Sequence, residues 1–144
     1  MARKKVEKSE VKVEVIVSPF MKLLRDPNRF KKLPDGWVRD TLVGVEWGPS
    51  SDKYLTFSQA QEYCAKLGGR LPEVNELQSL VDYTKRDPAI DKTLFPDTKS
   101  SWYWTGTELA GSSSSAWCVD FSDGGVYSGS KGGGSYVRPG RASQ

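Results

Sequence analysis

The sequence contains no histidine. Histidine is the commonest general base of enzymes and the commonest metal ligand, so its absence removes both roles together. A Ser-His-Asp arrangement cannot be assembled without the imidazole, although serine is abundant. Carboxylates such as Glu73, Glu76 and Asp82 are better explained as charges at helix ends and on the surface. The composition therefore predicts a protein that is not an enzyme and that uses neither a metal nor a cofactor.

Cysteine is also scarce. The two cysteines, Cys64 and Cys118, are too few for a disulfide framework or a cysteine-rich metal site. Cys64 falls on the apolar side of a predicted helix, so we expect it to be a small buried hydrophobic residue. A disulfide between the two cysteines is the alternative.

No apolar stretch is long enough to span a membrane, and the first ten residues, MARKKVEKSE, lack the apolar core of a signal peptide. We therefore expect a protein that is cytoplasmic at synthesis, with later display on a virion or cell surface left open. The net charge is +3, and a basic run near the N-terminus is typical of a solvated tail, so no nucleic-acid partner is expected. The predicted organisation is a basic flexible tail over residues 1–10 and a single domain over 11–144.

The segment from residue 55 to residue 82 predicts two helices joined by a turn. Thr56 or Ser58 can cap the first helix, and Gly68 with Gly69 can end it, because glycine accepts the left-handed conformation found at helix C-termini. The two helices would each carry one apolar side, formed by Phe57, Ala60, Cys64 and Leu67 in the first and by Val74, Leu77, Leu80 and Val81 in the second.

The C-terminal third changes character and predicts antiparallel strands over residues 102–107, 116–121, 126–130 and 135–138, with loops rich in serine and glycine. Alternation in the second strand places Trp117, Val119 and Phe121 on one face, and Cys118 and Asp120 on the other. We expect the first face to be buried and the second to be exposed. The residues expected in the core are Trp47, Leu71, Leu77, Trp104, Trp117 and Phe121.

Several short motifs follow one another between residues 29 and 141. They are Trp37-Val38-Arg39-Asp40, Tyr63-Cys64, Gly69-Arg70-Leu71-Pro72, Asn75-Glu76-Leu77, Leu80-Val81-Asp82, Ala116-Trp117 and Tyr136-Val137-Arg138-Pro139. In this order they resemble the Lcl C-terminal domain family. The resemblance implies an α+β fold like that of C-type lectins and formylglycine-generating enzymes, with two helices packed on a twisted antiparallel sheet.

The sequence departs from the active members of that fold. Calcium-dependent lectins use a Glu-Pro-Asn or Gln-Pro-Asp triplet and a Trp-Asn-Asp triplet to supply oxygen ligands, and none of these triplets occurs. Formylglycine-generating enzymes depend on cysteines late in the chain, where only Cys118 is found. The resemblance therefore implies a binding protein that needs neither calcium nor catalysis.

The candidate ligand-binding residues lie in a region over residues 102–138 that is expected to vary. They are Tyr103, Thr105, Ser113, Ser114, Cys118, Asp120, Tyr127, Ser128, Ser130 and Ser135. Tyrosine supplies rigid amphipathic contact area and serine supplies adaptable hydrogen bonds, the mixture that antibody combining sites use. Ordinary polar loops are the alternative, because turns are rich in serine and glycine.

Proteins with this lectin-like fold are targets of diversity-generating retroelements, which randomise adenines near the 3′ end of a gene. A randomised AAC codon yields Ser, Tyr, Gly, Cys, Asp and Thr, but never Trp, Lys, Glu, Gln or Met. Every candidate residue falls in the permitted set, while Trp104 and Trp117 would belong to a constant framework. The resemblance thus implies a similarity to retroelement variable proteins, whose surface would bind a protein or glycan receptor. The alternative is an adhesin of fixed specificity for glycans or glycosaminoglycans, favoured by the net charge of +3.

Overall fold

The structure, a computed structural model, describes residues 17–144, so the tail predicted over 1–10 lies outside it. The elements are α1 (Pro19–Leu24), β1 (Phe30–Lys32), β2 (Val38–Asp40), β3 (Val45–Trp47), α2 (Phe57–Lys66), α3 (Val74–Gln78), β4 (Trp102–Leu109), β5 (Ser112–Asp120), β6 (Val126–Ser130) and β7 (Gly140–Ala142). The predicted α+β class is confirmed. Within the described residues the strands form two antiparallel sheets, β1-β2-β3-β7 and β4-β5-β6, where we expected one. No helix in this range is long and apolar enough to cross a membrane.

Helix α2 begins and ends where its sequence predicts. The Thr56 hydroxyl accepts a hydrogen bond from the Gln59 amide, and the Gln59 side chain accepts one from the Thr56 amide, which together form a capping box. Gly68 has a φ of +76°, the left-handed conformation that ends the helix. Phe57, Ala60 and Cys64 are buried as expected, whereas Leu67 is exposed.

Helix α3 is shorter than its apolar spacing predicts. It starts where the Glu73 amide donates to the Glu76 carboxylate at 2.8 Å, and it ends at Gln78. Beyond that point the chain continues in single turns, in which the Leu80 amide donates to the Leu77 carbonyl. The apolar side chains that follow the helix, Leu80 and Val81, are still buried.

The sheet β4-β5-β6 separates two hydrophobic clusters. One cluster contains Trp47, Leu77, Ile90, Phe95, Tyr103, Val119 and Phe121, and the other contains Phe57, Ala60, Cys64, Leu71, Trp104, Ala116, Cys118 and Val137. Neighbouring residues of β5 therefore point into different clusters, Cys118 towards α2 and Val119 towards the first sheet. Both faces of this sheet are covered, which the alternation alone did not reveal.

The core residues are mostly those expected. Trp47, Leu71, Leu77, Trp104 and Phe121 are buried. Trp117 is only partly buried, so its assignment to the core was wrong. Trp117 pairs with the exposed Ser128 on the edge strand β6. This small side chain does not cover the indole.

Residues 135–142 join the two sheets, and we call them the seam. Ser135 bridges to Leu55, Tyr136 lies beside Tyr103, and Gly140 bridges to Arg70. The seam then enters the first sheet as β7, paired with β3. The strand predicted over residues 135–138 is therefore a series of single bridges, because its neighbours belong to different elements.

Candidate functional site

The structure divides the candidate residues into a buried set and an exposed set. The prediction of exposure is wrong for Tyr103, Thr105, Cys118 and Ser135, all of which are buried. The physical reason is shared: each lies on or beside a strand whose two faces are both covered. These residues form part of the scaffold on which any exposed site is built.

Tyr103 shows what the buried residues do. Its side chain has no exposed area, and its hydroxyl shares a hydrogen bond of 2.8 Å with the Ser50 hydroxyl. The Lys99 amide donates to the same oxygen at 2.9 Å, and the ring packs edge-on against Phe121 with 5.2 Å between centroids. Burial raises the pKa of Tyr103. This tyrosine holds two loops together and is not available to a ligand.

The other buried candidates are packed or hydrogen-bonded inside the protein. The Thr105 hydroxyl donates to the Trp117 carbonyl at 2.7 Å, and the Cys118 sulfur lies 3.8 Å from the Ser135 hydroxyl. Both cysteines are free and buried, so the disulfide alternative is not adopted. Burial raises the pKa of the Cys118 thiol to about 11 and that of the Cys64 thiol to about 12. The expectation of a buried Cys64 is confirmed, and an outward Cys118 was wrong.

The exposed candidates are Ser113, Ser114, Tyr127, Ser128 and Ser130. Asp120 is half-buried, and its carboxylate accepts a hydrogen bond from the Ser122 amide at 2.8 Å, which holds the turn between β5 and β6. The register pairs Trp117 with Ser128 and Cys118 with Tyr127. The exposed candidates therefore do not form one patch, because Tyr127 and Ser128 point to opposite faces of the sheet.

The exposed residues between positions 112 and 135 have an unusual composition. They are Ser113, Ser114, Asp123, Tyr127, Ser128, Ser130, Gly132, Gly133 and Gly134, and we call them the serine–glycine surface. The lysine within this stretch, Lys131, is half-buried: its ammonium donates to Glu108 at 2.9 Å and lies 4.5 Å from the centre of the Phe57 ring. Helix α2, in contrast, exposes Gln59, Gln61, Glu62 and Lys66 in the ordinary way.

Sequence reasoning missed an aromatic pair at this surface. Trp102 is half-buried and stacks on the 45% exposed Tyr127, with 5.2 Å between ring centroids and 9° between planes. A second exposed tyrosine, Tyr54, packs on Tyr136 at 4.5 Å and shares a hydrogen bond with Ser101. Each pair joins residues distant in the sequence, so no local pattern could have indicated it.

A buried arginine connects two loops of the scaffold. Arg138 donates to the Gly48 carbonyl at 2.9 Å, to the Asp97 carboxylate at 2.8 Å and to the Thr98 hydroxyl at 2.7 Å. Burial would raise the pKa of Asp97, but the charge and hydrogen bond of Arg138 outweigh it, and the pKa is lowered. The scaffold is thus held by a charge-assisted network in which Asp97 stays ionised at neutral pH.

Neither of two other kinds of site, a cavity and a metal centre, involves the candidate residues. A cavity of about 920 Å³ lies between α1 and the segments 75–84 and 90–95, and none of the candidate residues lines it. Within residues 17–144, no three Cys, Asp or Glu side chains converge in a way that could hold a metal ion. The exposed candidate residues all lie in the serine–glycine surface, where Tyr127 stacks on Trp102.

Residues 36–141 match the Lcl C-terminal domain family. The matched segment contains α2, α3 and all the strands of the sheet β4-β5-β6, and so includes the serine–glycine surface. No curated protein matches the chain. Because the family match covers well over half of the sequence, the protein belongs to the Lcl C-terminal domain family.

Proposed function

We propose that this protein binds a ligand without catalysing a reaction, and that it is the variable protein of a diversity-generating retroelement. The observation that carries the proposal is the composition of the serine–glycine surface. Its exposed residues are serine, glycine, tyrosine and aspartate, all of which a randomised AAC codon can encode. Lysine, glutamate and glutamine, which such a codon cannot encode, are absent from these exposed positions but present on α2.

Polar loops alone explain this contrast poorly. Lysine and glutamate are among the commonest residues on protein surfaces, so a selected surface of this size would ordinarily contain some. The lysine of the same stretch, Lys131, is tied to Glu108 and Phe57 and therefore has a structural role. A gene in which randomised codons alternate with fixed structural codons would account for both the missing exposed lysine and glutamate and the retained Lys131.

The proposal includes a C-type lectin-like fold for the domain. Membership of the Lcl C-terminal family supports it, as do an α+β class and a helix, α2, packed against one face of an antiparallel sheet. A sheet covered on both faces gives a rigid support, on which exposed side chains can be replaced at little cost in stability. The exposed Tyr127 supplies an anchoring contact to the ligand, and the serines adapt their hydrogen bonds to it.

The DNA around the gene provides the test. We expect a reverse-transcriptase gene nearby, together with a near-copy of the final segment of this gene. Differences between the copy and the gene should fall at adenines and at codons of the serine–glycine surface, with the codons for Trp117 and Lys131 unchanged. A locus with neither component, or differences scattered over all four bases, would contradict the retroelement proposal.

An adhesin of fixed specificity for glycans is the second candidate, and the Trp102–Tyr127 pair favours it. A partly exposed aromatic pair offers an apolar surface with a polar hydroxyl, a combination suited to sugar rings. Retention on heparin and binding to a glycan array would support the adhesin if Tyr127→Ser abolished them and Ser113→Ala did not. Binding that survives Tyr127→Ser would exclude this pair as the glycan site.

A further inference from the structure

Tyr127 owes its position to the glycine two residues before it. Trp102 pairs with Asp120, and the Asp120 amide donates to the Gly125 carbonyl, so these three residues form one row across the sheet. Tyr127 lies two rows further along, opposite Cys118, and its side chain is on the same face of the sheet as position 125. The tyrosine ring must therefore lean back along the sheet by two residues to stack on Trp102, and this brings it over Gly125.

The space between Gly125 and the ring has no room for a side chain. A Cβ atom at position 125 would lie 2.6 Å from Cε2 and 2.7 Å from the hydroxyl oxygen of Tyr127, closer than real Cβ atoms approach other heavy atoms. The backbone of Gly125 does not itself require glycine, because its φ is outside the left-handed region that its neighbour Gly124 occupies at +90°. The position of the Tyr127 ring is therefore the reason that residue 125 is glycine.

The ring, and not the backbone, would move if a side chain were added. A Cβ at Gly124 would lie only 2.5 Å from Val81, so the turn before β6 is packed closely against the core and cannot retreat. The Tyr127 side chain is 45% exposed and can rotate into solvent. Rotation would separate it from Trp102 and uncover the indole.

We infer that residue 125 controls the shape of the binding surface: glycine keeps Tyr127 stacked on Trp102, whereas any side chain displaces the tyrosine and exposes the tryptophan. As a statement about binding, this inference rests on the proposed function, because Tyr127 belongs to the serine–glycine surface and Trp102 stacks on Tyr127. A newly exposed tryptophan is a strong anchor for a protein partner. A substitution at position 125 therefore changes specificity through Trp102 as well as through its own side chain.

Quenching of tryptophan fluorescence by acrylamide tests the inference without any ligand. The contribution of Trp102 is the difference between each protein and the same protein carrying Trp102→Phe. We expect Gly125→Ala to increase quenching of Trp102 and to remove the near-ultraviolet circular dichroism of the stacked pair. The matched control is Gly132→Ala, because a Cβ there meets nothing nearer than the Ser130 hydroxyl at 3.9 Å, and it should change neither signal.

A double-mutant cycle shows whether the effect passes through Tyr127. Tyr127→Ser should uncover Trp102 by itself, and adding Gly125→Ala to it should have no further effect. The inference is overturned if Gly125→Ala leaves Trp102 quenching unchanged, or if it raises quenching equally when position 127 is serine. Either failure leaves the proposed function standing, and the absence of a retroelement at the locus leaves this result unaffected.

Discussion

Arg29 and Asp40 form a bidentate ion pair inside the protein, with distances of 2.9 Å from Nε to Oδ1 and from Nη2 to Oδ2. Only 4% of the Arg29 side chain and none of the Asp40 side chain is exposed. The Trp47 indole also donates to Asp40, while Arg29 donates to the carbonyl and the hydroxyl of Ser79. The pair thus ties the first sheet to the chain that follows α3.

Asp40→Ala should lower the free energy of unfolding by about 3–5 kcal/mol, because it leaves the Arg29 guanidinium buried without its partner. Glu108→Ala is the control, since it breaks the more exposed pair with Lys131 and should cost no more than about 1 kcal/mol. Urea unfolding followed by circular dichroism measures both. Equal losses for the two variants would mean that the Arg29–Asp40 pair is no stronger than a surface pair.

Trp104→Ala should lower the free energy of unfolding by about 3–5 kcal/mol, and Trp117→Ala should lower it clearly less. Trp104 is 1% exposed, packs edge-on against Phe57 and donates its indole N–H to the Leu55 carbonyl at 2.8 Å. Trp117 has one side open near Ser128. Urea midpoints show which variant is less stable, and a larger loss of stability for Trp117→Ala would contradict the division of the core into two clusters.

Replacing Ser113, Ser114, Ser128 and Ser130 together by alanine should change the free energy of unfolding by about 1 kcal/mol or less, as surface substitutions usually do. These side chains are exposed, and the hydroxyls of Ser128 and Ser130 have no hydrogen-bond partner within the described residues. Tyr103→Ser is the contrasting variant and should destabilise the protein strongly, since the tyrosine is fully buried. Thermal melts of the quadruple variant and of Tyr103→Ser show whether side chains of the serine–glycine surface can be replaced without destabilising the core.

Both thiols should be unreactive towards a disulfide reagent in the folded protein at about pH 8, and both should react after unfolding in urea. Burial raises the pKa of Cys64 to about 12 and that of Cys118 to about 11, so each remains a neutral thiol at that pH. Absorbance of the released thiolate counts the reactive groups. Rapid reaction of one equivalent with the folded protein, lost when Cys118 is replaced by serine, would show that Cys118 faces solvent, as the alternation alone suggested.

Stability should decrease on acidification below pH 4.5, the ordinary pKa of a glutamate, partly because of Glu46. Burial would raise the pKa of Glu46, but hydrogen bonds from Arg141 and Arg39 outweigh it, and the pKa is lowered. A carboxyl group with a lowered pKa stabilises the folded state above its unfolded pKa, and this contribution is lost as the pH falls through the folded value. Glu46→Gln should therefore reduce the difference between urea midpoints at about pH 7 and about pH 3, whereas Glu62→Gln on the surface of α2 should leave it unchanged.

Local patterns predicted the elements whose determinants are adjacent in the chain. The cap at Thr56 and the glycine at position 68 bound α2 as expected, and β6 spans residues 126–130 as predicted. Helix α3 ends early for a reason that is distant in sequence. The Ser79 hydroxyl donates at 2.6 Å to the Glu76 carbonyl, which the Leu80 amide would use in a continuing helix, and the buried Arg29 holds Ser79 by its hydroxyl and its carbonyl.

The candidate site was only partly predictable for a related reason. Alternation correctly separated Cys118 and Asp120 from Val119 and Phe121, but it says which residues share a face and not what covers that face. Helix α2 covers the face of Cys118, and its position depends on contacts across the whole chain. The stack of Trp102 on Tyr127 likewise depends on the strand order β4-β5-β6, which no short motif specifies.

The seam has a consequence for the biosynthesis of the protein. A ribosome makes residues 112–134 before residues 135–142, and until the latter emerge neither sheet has its final hydrogen-bonded neighbour. A premature stop or a frameshift anywhere in the serine–glycine surface removes the seam, and with it Arg138 and the strand β7. We expect truncated products to be unstable, because they lack these closing contacts, so that every stably folded copy has been translated through the serine–glycine surface.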